Sequence, residues 1–206
     1  MRALLGALAL ILATAPAFAA ELPGGLPAHW SLDSASIADL LGDRAMRLDP
    51  PIDYGVAQAK LMVKAVRIGG VAMNAFYQFD TRDRLVQVLL ERRDAGATPA
   101  SFDALERALA RRYGKPTQAC AQLRGSPKAL ERRWLDGKTA VNLTFFDFTG
   151  AAMTLDPSKD FLNPLVPSYE YESFKARGFP RRIVLRYFLA SRASLEGSPA
   201  CAEPRL

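Results

Sequence analysis

Two glycine turns, each set between stretches of alternating apolar and polar residues, limit what this chain can fold into. Asp136-Gly137 separates Leu130 to Leu135 from Lys138 to Phe148, and Gly69-Gly70 separates Val56 to Arg67 from the run that starts at Val71. Glycine reaches the positive φ angles of two-residue hairpin turns without steric cost, so each pair predicts an antiparallel hairpin. A type I′ turn at Asp136-Gly137 pairs Trp134 with Thr139 and Leu130 with Leu143. Side chains alternate along a strand, so Trp134, Val141, Leu143 and Phe145 then share a buried face, with Glu131, Arg133, Lys138, Asn142 and Thr144 on a wet one. Asp80-Thr81-Arg82-Asp83 reads as a further turn before a third strand from Leu85 to Leu90. A short strand from Ala151 to Leu155 and a last one from Arg182 to Ala190 complete the set.

Two helices interrupt the strands. Asp33 or Ser34 can cap the first, whose Ile37, Leu40 and Leu41 lie on one face and which Gly42 ends. Thr98 can cap the second, from Pro99 to Tyr113. Pro99 sits where its missing N–H costs nothing, and Phe102, Leu105, Leu109 and Tyr113 recur at three- and four-residue spacing. Asp49-Pro50-Pro51 reads as an extended crossing between elements. The elements predict an α+β domain: an antiparallel sheet meander with helices packed on one face, or the same elements as two tandem α-β-β-β units over residues 34–92 and 98–156. The domain spans residues 34–190.

The N-terminus has its own grammar. Arg2 is the one charge in the first twenty residues, an apolar run follows it, and Pro16 precedes Ala17-Phe18-Ala19. A basic start, an apolar middle and a small-x-small end describe a secretory signal, here residues 1–19, and the apolar run falls short of the roughly 20 residues a membrane span needs. No cysteine precedes Cys120, so the chain lacks the lipid-attachment residue of exported lipoproteins. These features predict a periplasmic or secreted protein with no transmembrane segment once the signal is removed. Residues 20–33, rich in proline and glycine, read as a linker. Cys120 and Cys201 are the only cysteines, and an even count in an exported chain predicts a disulfide that ties a tail, residues 191–206, to the domain.

Composition excludes several chemistries. One histidine and two cysteines cannot build a zinc site of two or three histidines or a four-thiolate cluster, so no metal and no cofactor is expected. No Gly-x-Ser-x-Gly elbow, Ser-x-x-Lys motif or phosphate loop occurs. His29, beside Trp30, reads as an exposed residue of the linker. Asp49/Asp53, Asp80/Asp83 and Glu170/Glu172 are the carboxylate pairs that a hydrolase could use, although Asp80 and Asp83 also suit turn geometry.

Leu41-Gly42 at a helix end, the Phe79-Asp80 to Leu85 hairpin, the Tyr113-Gly114-Lys115-Pro116 stop and Trp134 ahead of Val141-Asn142-Leu143 together resemble small exported bacterial modules. The families named by that resemblance are the SmpA/OmlA outer-membrane-assembly lipoproteins and the tandem-module β-lactamase inhibitor proteins. What it implies is a two-layer fold used for protein contacts.

The formal net charge is +6, which suits either an anionic envelope surface or solubility alone. Arg177, Arg181, Arg182, Arg186 and Arg192 near Phe174, Phe179 and Tyr187 form the densest basic and aromatic stretch. On a strand, Arg182 and Arg186 share a face with Val184 and Phe188. They are either an edge strand's guard against aggregation or an anion-binding pair. The function expected from these features is that of a soluble exported binding or envelope-maintenance protein without intrinsic catalysis. Its partner would be another envelope protein or an anionic envelope component, and no specific nucleic acid is expected. The alternative is a carboxylate-dependent hydrolase acting on an envelope polymer.

Overall fold

A computed structural model describes residues 21–23, 25–27, 29–123, 128–148 and 181–192. Two short strands, β1 (Glu21–Leu22) and β2 (Leu26–Pro27), pair with each other ahead of helix α1 (Ser34–Leu41). Strands β3 (Met46–Asp53), β4 (Gln58–Ile68), β5 (Val71–Phe79) and β6 (Leu85–Arg93) follow. Helix α2 (Pro99–Tyr113) then leads to β7 (Gln118–Gln122), β8 (Lys128–Asp136), β9 (Thr139–Asp147) and β10 (Arg181–Leu189). One 8-stranded antiparallel sheet runs in the order β3-β4-β5-β6-β10-β9-β8-β7.

This overturns the α+β expectation. The sheet dominates, and the two α-helices are short. The chain is no continuous meander either, because β6 pairs with β10 and not with β7. Each helix is followed by four strands, so the α-β-β-β units are corrected as well. The strands missed are β3 and β7, for physical reasons. β3 contains Pro50 and Pro51, which remove ladder donors and are tolerated because β3 lies at one edge of the sheet. β7 at the other edge is five residues long and lacks apolar alternation.

Both hairpins form. Gly69 and Gly70 have φ of 57° and 84°, with Ile68 opposite Val71. In the second, Asp136 pairs with Thr139 and Trp134 with Val141, so the loop is Gly137-Lys138. Gly137 alone has positive φ there, which suits a turn with glycine first and shifts the register by two residues from the expected one. A shift of two leaves every side chain on its face. Trp134, Val141, Leu143 and Phe145 therefore still enter the main core.

That core lies between the sheet and the helices. Ile37 and Leu41 of α1 and Phe102, Leu105 and Leu109 of α2 meet Leu61, Tyr77, Leu90, Leu143, Ile183 and Leu185. The caps form as read: the Asp33 side chain accepts from the Ser36 N–H, and Thr98 from that of Ser101. Trp134 Nε1 donates to Gly114 O at 3.0 Å, which fastens the end of α2 to β8. The stretch read as a linker also contributes: Leu22 and Leu26 are each 2 % exposed within the core, and Tyr77 Oη donates to Pro23 O at 2.8 Å.

The turn before β6 ties the first helix down. Asp83 accepts from Lys60 Nζ at 2.7 Å and from Ser34 Oγ at 2.8 Å. Partial burial acts to raise the Asp83 pKa, but hydrogen bonds from Lys60 and Ser34 and the charge of Lys60 outweigh it and hold the carboxyl below its ordinary value. A depressed folded-state pKa adds stability that is present above the unfolded value and lost as pH falls through the folded one. The stability difference between the native chain and Asp83→Asn should therefore hold from neutral pH down to about pH 4 and close below it. Urea titrations across that range check this, and a pH-independent difference would contradict it.

Candidate functional site

The second face of the sheet departs from the wet surface expected of it. Ala59, Phe76, Leu89, Ala129, Phe146 and Val184 form a second apolar cluster. Among them lie buried polar side chains: Gln78, Gln87, Glu91, Glu131, Asn142, Thr144, Arg182 and Arg186. Gln87 donates to Gln78 at 2.8 Å, and Arg133 to Glu131 at 2.6 Å. Charges so placed need partners, since an isolated buried ion costs several kcal/mol.

The pairing of β6 with β10 sets the charged centre. Arg182 stands directly opposite Arg93, and Val184 opposite Glu91. Two like charges facing each other across strands repel. Glu91, two residues from Arg93 on the same face, meets both: Arg93 Nη2 lies 2.7 Å from one carboxylate oxygen, and Arg182 Nε contacts the other. Glu91 and Arg182 side chains are each 5 % exposed and Arg93 is 21 % exposed, so the cluster runs from the interior toward the surface.

Beside it the sheet is irregular. The β4–β5 register shifts between Val63 and Val66, and Ala65 within that bulge has φ of 55°. A non-glycine residue there carries strain of about 1–2 kcal/mol, of a kind that accumulates at functional positions. The bulge borders a pocket of about 380 Å³ lined by Ala65, Ala72, Asn74, Glu91, Arg92 and Arg93. Arg92 points to the other side of β6, where Nη1 donates to Ala72 O at 2.8 Å. It lies so close to Gly96 that a Cβ there would collide with its guanidinium.

Of the residues singled out from sequence, Arg182 and Arg186 do share a face with Val184 and Phe188, while Ile183, Leu185 and Tyr187 enter the main core. Their strand is central, so the edge-strand reading is corrected. Both are buried, at 4 % and 8 % exposed. Arg181, on the opposite side, pairs with Asp147 at 3.3 Å. Cys120 lies on β7 opposite Glu131, and Cys201 lies outside the described residues. So do residues 1–19, the expected strand from Ala151 to Leu155, Arg177, Phe174, Phe179 and the Glu170/Glu172 pair. Asp80 accepts from the backbone N–H groups of Arg82 and Arg84 and pairs with the Arg84 guanidinium at 2.9 Å, as a turn residue does. Asp53 accepts from Gly55 N–H at 2.8 Å, and Asp49 is exposed on β3. His29 is exposed. Among the described residues no group of three or more His, Cys, Asp or Glu is placed to hold a metal ion.

Glu91, Arg93 and Ala65 were missed. The Glu91-Arg92-Arg93 run at a strand end was visible, but its meaning rests on a pairing between distant segments. No family model, curated protein or solved structure matches the chain. Among the described residues no helix is long and apolar enough to cross a membrane.

Proposed function

We propose that this chain is an exported, periplasmic binding or envelope-maintenance protein that performs no chemistry of its own and takes an anionic group of an envelope component at the pocket lined by Ala65, Asn74, Glu91 and Arg93. The observation that carries the reading is the Arg93 guanidinium, held by the buried Glu91 carboxylate in the lining of a pocket that the strained bulge at Ala65 borders. Guanidinium forks set in place beforehand bind phosphate or carboxylate with less ordering cost than mobile surface arginines do. The sequence motif that points to export, and the resemblance to exported contact modules, support the same reading. Arg182 does not line that pocket: its side chain, 5 % exposed, rests on Glu91 and helps fix the carboxylate that holds Arg93, and Arg186 lies farther along the same face. The hydrolase reading gains nothing from the described carboxylates, which serve turns, strand ends and ion pairs.

Calorimetric titration with inorganic phosphate and with a phosphomonoester sugar tests the site. Arg93→Met should weaken binding by about tenfold or more, whereas Arg84→Met, which removes the same charge at the distant Asp80 turn, should leave it unchanged. Absence of binding by the native chain, or equal loss in both variants, would remove the proposal. Export into an oxidising compartment carries a second expectation, that Cys120 and Cys201 are joined. Closing a loop of about 80 residues adds roughly 4 kcal/mol in the chain-entropy model. A thiol reagent applied to the denatured, unreduced protein should then label neither cysteine, and labelling of both would break the link between tail and sheet.

A further inference from the structure

The tip of the β4–β5 hairpin rests on α2. A Cβ on Gly69 would stand 2.7 Å from Ala104 O and 2.8 Å from Ala108 Cβ, so only glycine permits the approach. The contact carries Arg67 to the C-terminal half of α2, where it and Arg112 border a depression of about 160 Å³ above Leu22, Leu109 and Tyr187. Arg107 and Arg111 follow each other at four-residue spacing on the side of α2 opposite Phe102, Leu105 and Leu109, and Lys115 comes just past the helix end. All five cations are exposed. The negative end of the helix dipole accounts for positive charge in the last turn. It accounts neither for Arg107, in the helix interior, nor for Arg67, on another element. Among the described residues no ion pair uses Arg67, Arg107, Arg111 or Lys115.

We propose that this surface, the outer side of α2 with the β4–β5 hairpin tip, docks on an anionic phospholipid bilayer. The two other plausible partners of a basic surface fit less well. A protein interface is centred on buried aromatic or aliphatic anchors, yet among the described residues the exposed large apolar ones, Leu40, Met46, Val56, Leu123 and Leu135, all lie off α2 and off the β4–β5 hairpin. A single phosphate needs a converging fork, and these cations are spread along a helix and a hairpin. A lattice of headgroups asks only for spread charge, each Lys or Arg adding to the attraction within a Debye length of the surface. The surface shares no residue with the lining of the Glu91 pocket, although Arg67 pairs across the hairpin with Ala72 of that lining.

Co-sedimentation of the mature protein with phosphatidylcholine vesicles, with and without phosphatidylglycerol, tests this. The native chain should bind only the anionic vesicles and release them as salt rises. Arg107→Gln with Arg111→Gln and Lys115→Gln should weaken that binding about 100-fold. Arg47→Gln with Arg82→Gln and Lys138→Gln removes the same charge from exposed sites elsewhere and should cost about threefold or less. Arg107→Lys with Arg111→Lys should keep the binding, because a headgroup lattice reads charge and not fork geometry. Arg93→Met should keep it too, so failure of the pocket and failure of this surface are told apart. Equal losses in the two triple variants, loss in the lysine variant, or no preference of the native chain for anionic vesicles would overturn the proposal. Thermal melts of each variant confirm that a loss comes from a folded protein.

Discussion

Glu91→Ala is expected to lower the unfolding free energy by about 3–5 kcal/mol, the range for removing one partner of a buried ion pair. The reason lies in the register: Arg93 and Arg182 face each other across β6 and β10, and the Glu91 carboxylate contacts both. Removing it takes a buried negative charge from between two guanidinium groups at the seam that joins the two groups of four strands. A combined change of Glu91→Leu, Arg93→Leu and Arg182→Met should recover most of the loss, because an apolar set of similar volume dispenses with the charges altogether. Urea unfolding measures both, with a constant dependence on denaturant showing that the same surface is exposed. A loss under about 1 kcal/mol in the single variant would mean that Glu91 does not hold the seam. The combined variant should also lose the phosphate binding proposed for the pocket, which separates stability from recognition.

Leu22→Ala should cost about 2–5 kcal/mol, the range for truncating a leucine in a packed core. Val56→Ala, at a side chain 84 % exposed, should stay within about 0.5 kcal/mol. The contrast is informative because Leu22 lies in a stretch whose prolines and glycines suggest a connector. In the folded chain it is 2 % exposed beside the Pro23 carbonyl that Tyr77 Oη bonds. Burial of that hydroxyl pushes the Tyr77 pKa well above its usual value, despite the opposing charge of Arg44. The phenol therefore stays protonated and keeps donating to Pro23 across the ordinary pH range. Equal, small effects of Leu22→Ala and Val56→Ala in urea melts would return residues 20–33 to the status of a linker.

Some elements were legible because their causes are local. Helix α2 needed only Thr98, Pro99 and the spacing of Phe102, Leu105 and Leu109, all within a few turns of one another. The hairpins needed glycine at positive φ between alternating runs. Even the error at Gly137 was of a tolerant kind, since a two-residue slip preserves the faces. The strands missed carry signals that read otherwise in isolation: Pro50 and Pro51 argue against a strand until its edge position is known, and Gln118 to Gln122 have no apolar alternation.

The site was legible only in part. Arg182 and Arg186 could be placed on one face from alternation alone, but alternation cannot say what lies on the neighbouring strands. The expectation of a wet second face failed for the same reason. Glu131, Asn142 and Thr144 are polar, yet they are buried in a wide sheet whose second face carries a cluster of Phe76, Leu89, Phe146 and Val184.

By itself, then, the sequence determined what short-range sterics and periodicity decide: the helix caps, the turn positions, and which side chains alternate together. The tertiary structure decided that β10 inserts between β6 and β9, that Gly69 lets a hairpin tip lean on α2, and that Leu22 closes the core. These depend on contacts between segments far apart in the chain. Hydrophobic burial drives such contacts but is non-directional, so composition and pattern state how much surface must be buried without naming the strand that buries it. Only the assembled sheet brings Arg182 opposite Arg93, and that juxtaposition of two positive charges gives Glu91 its role.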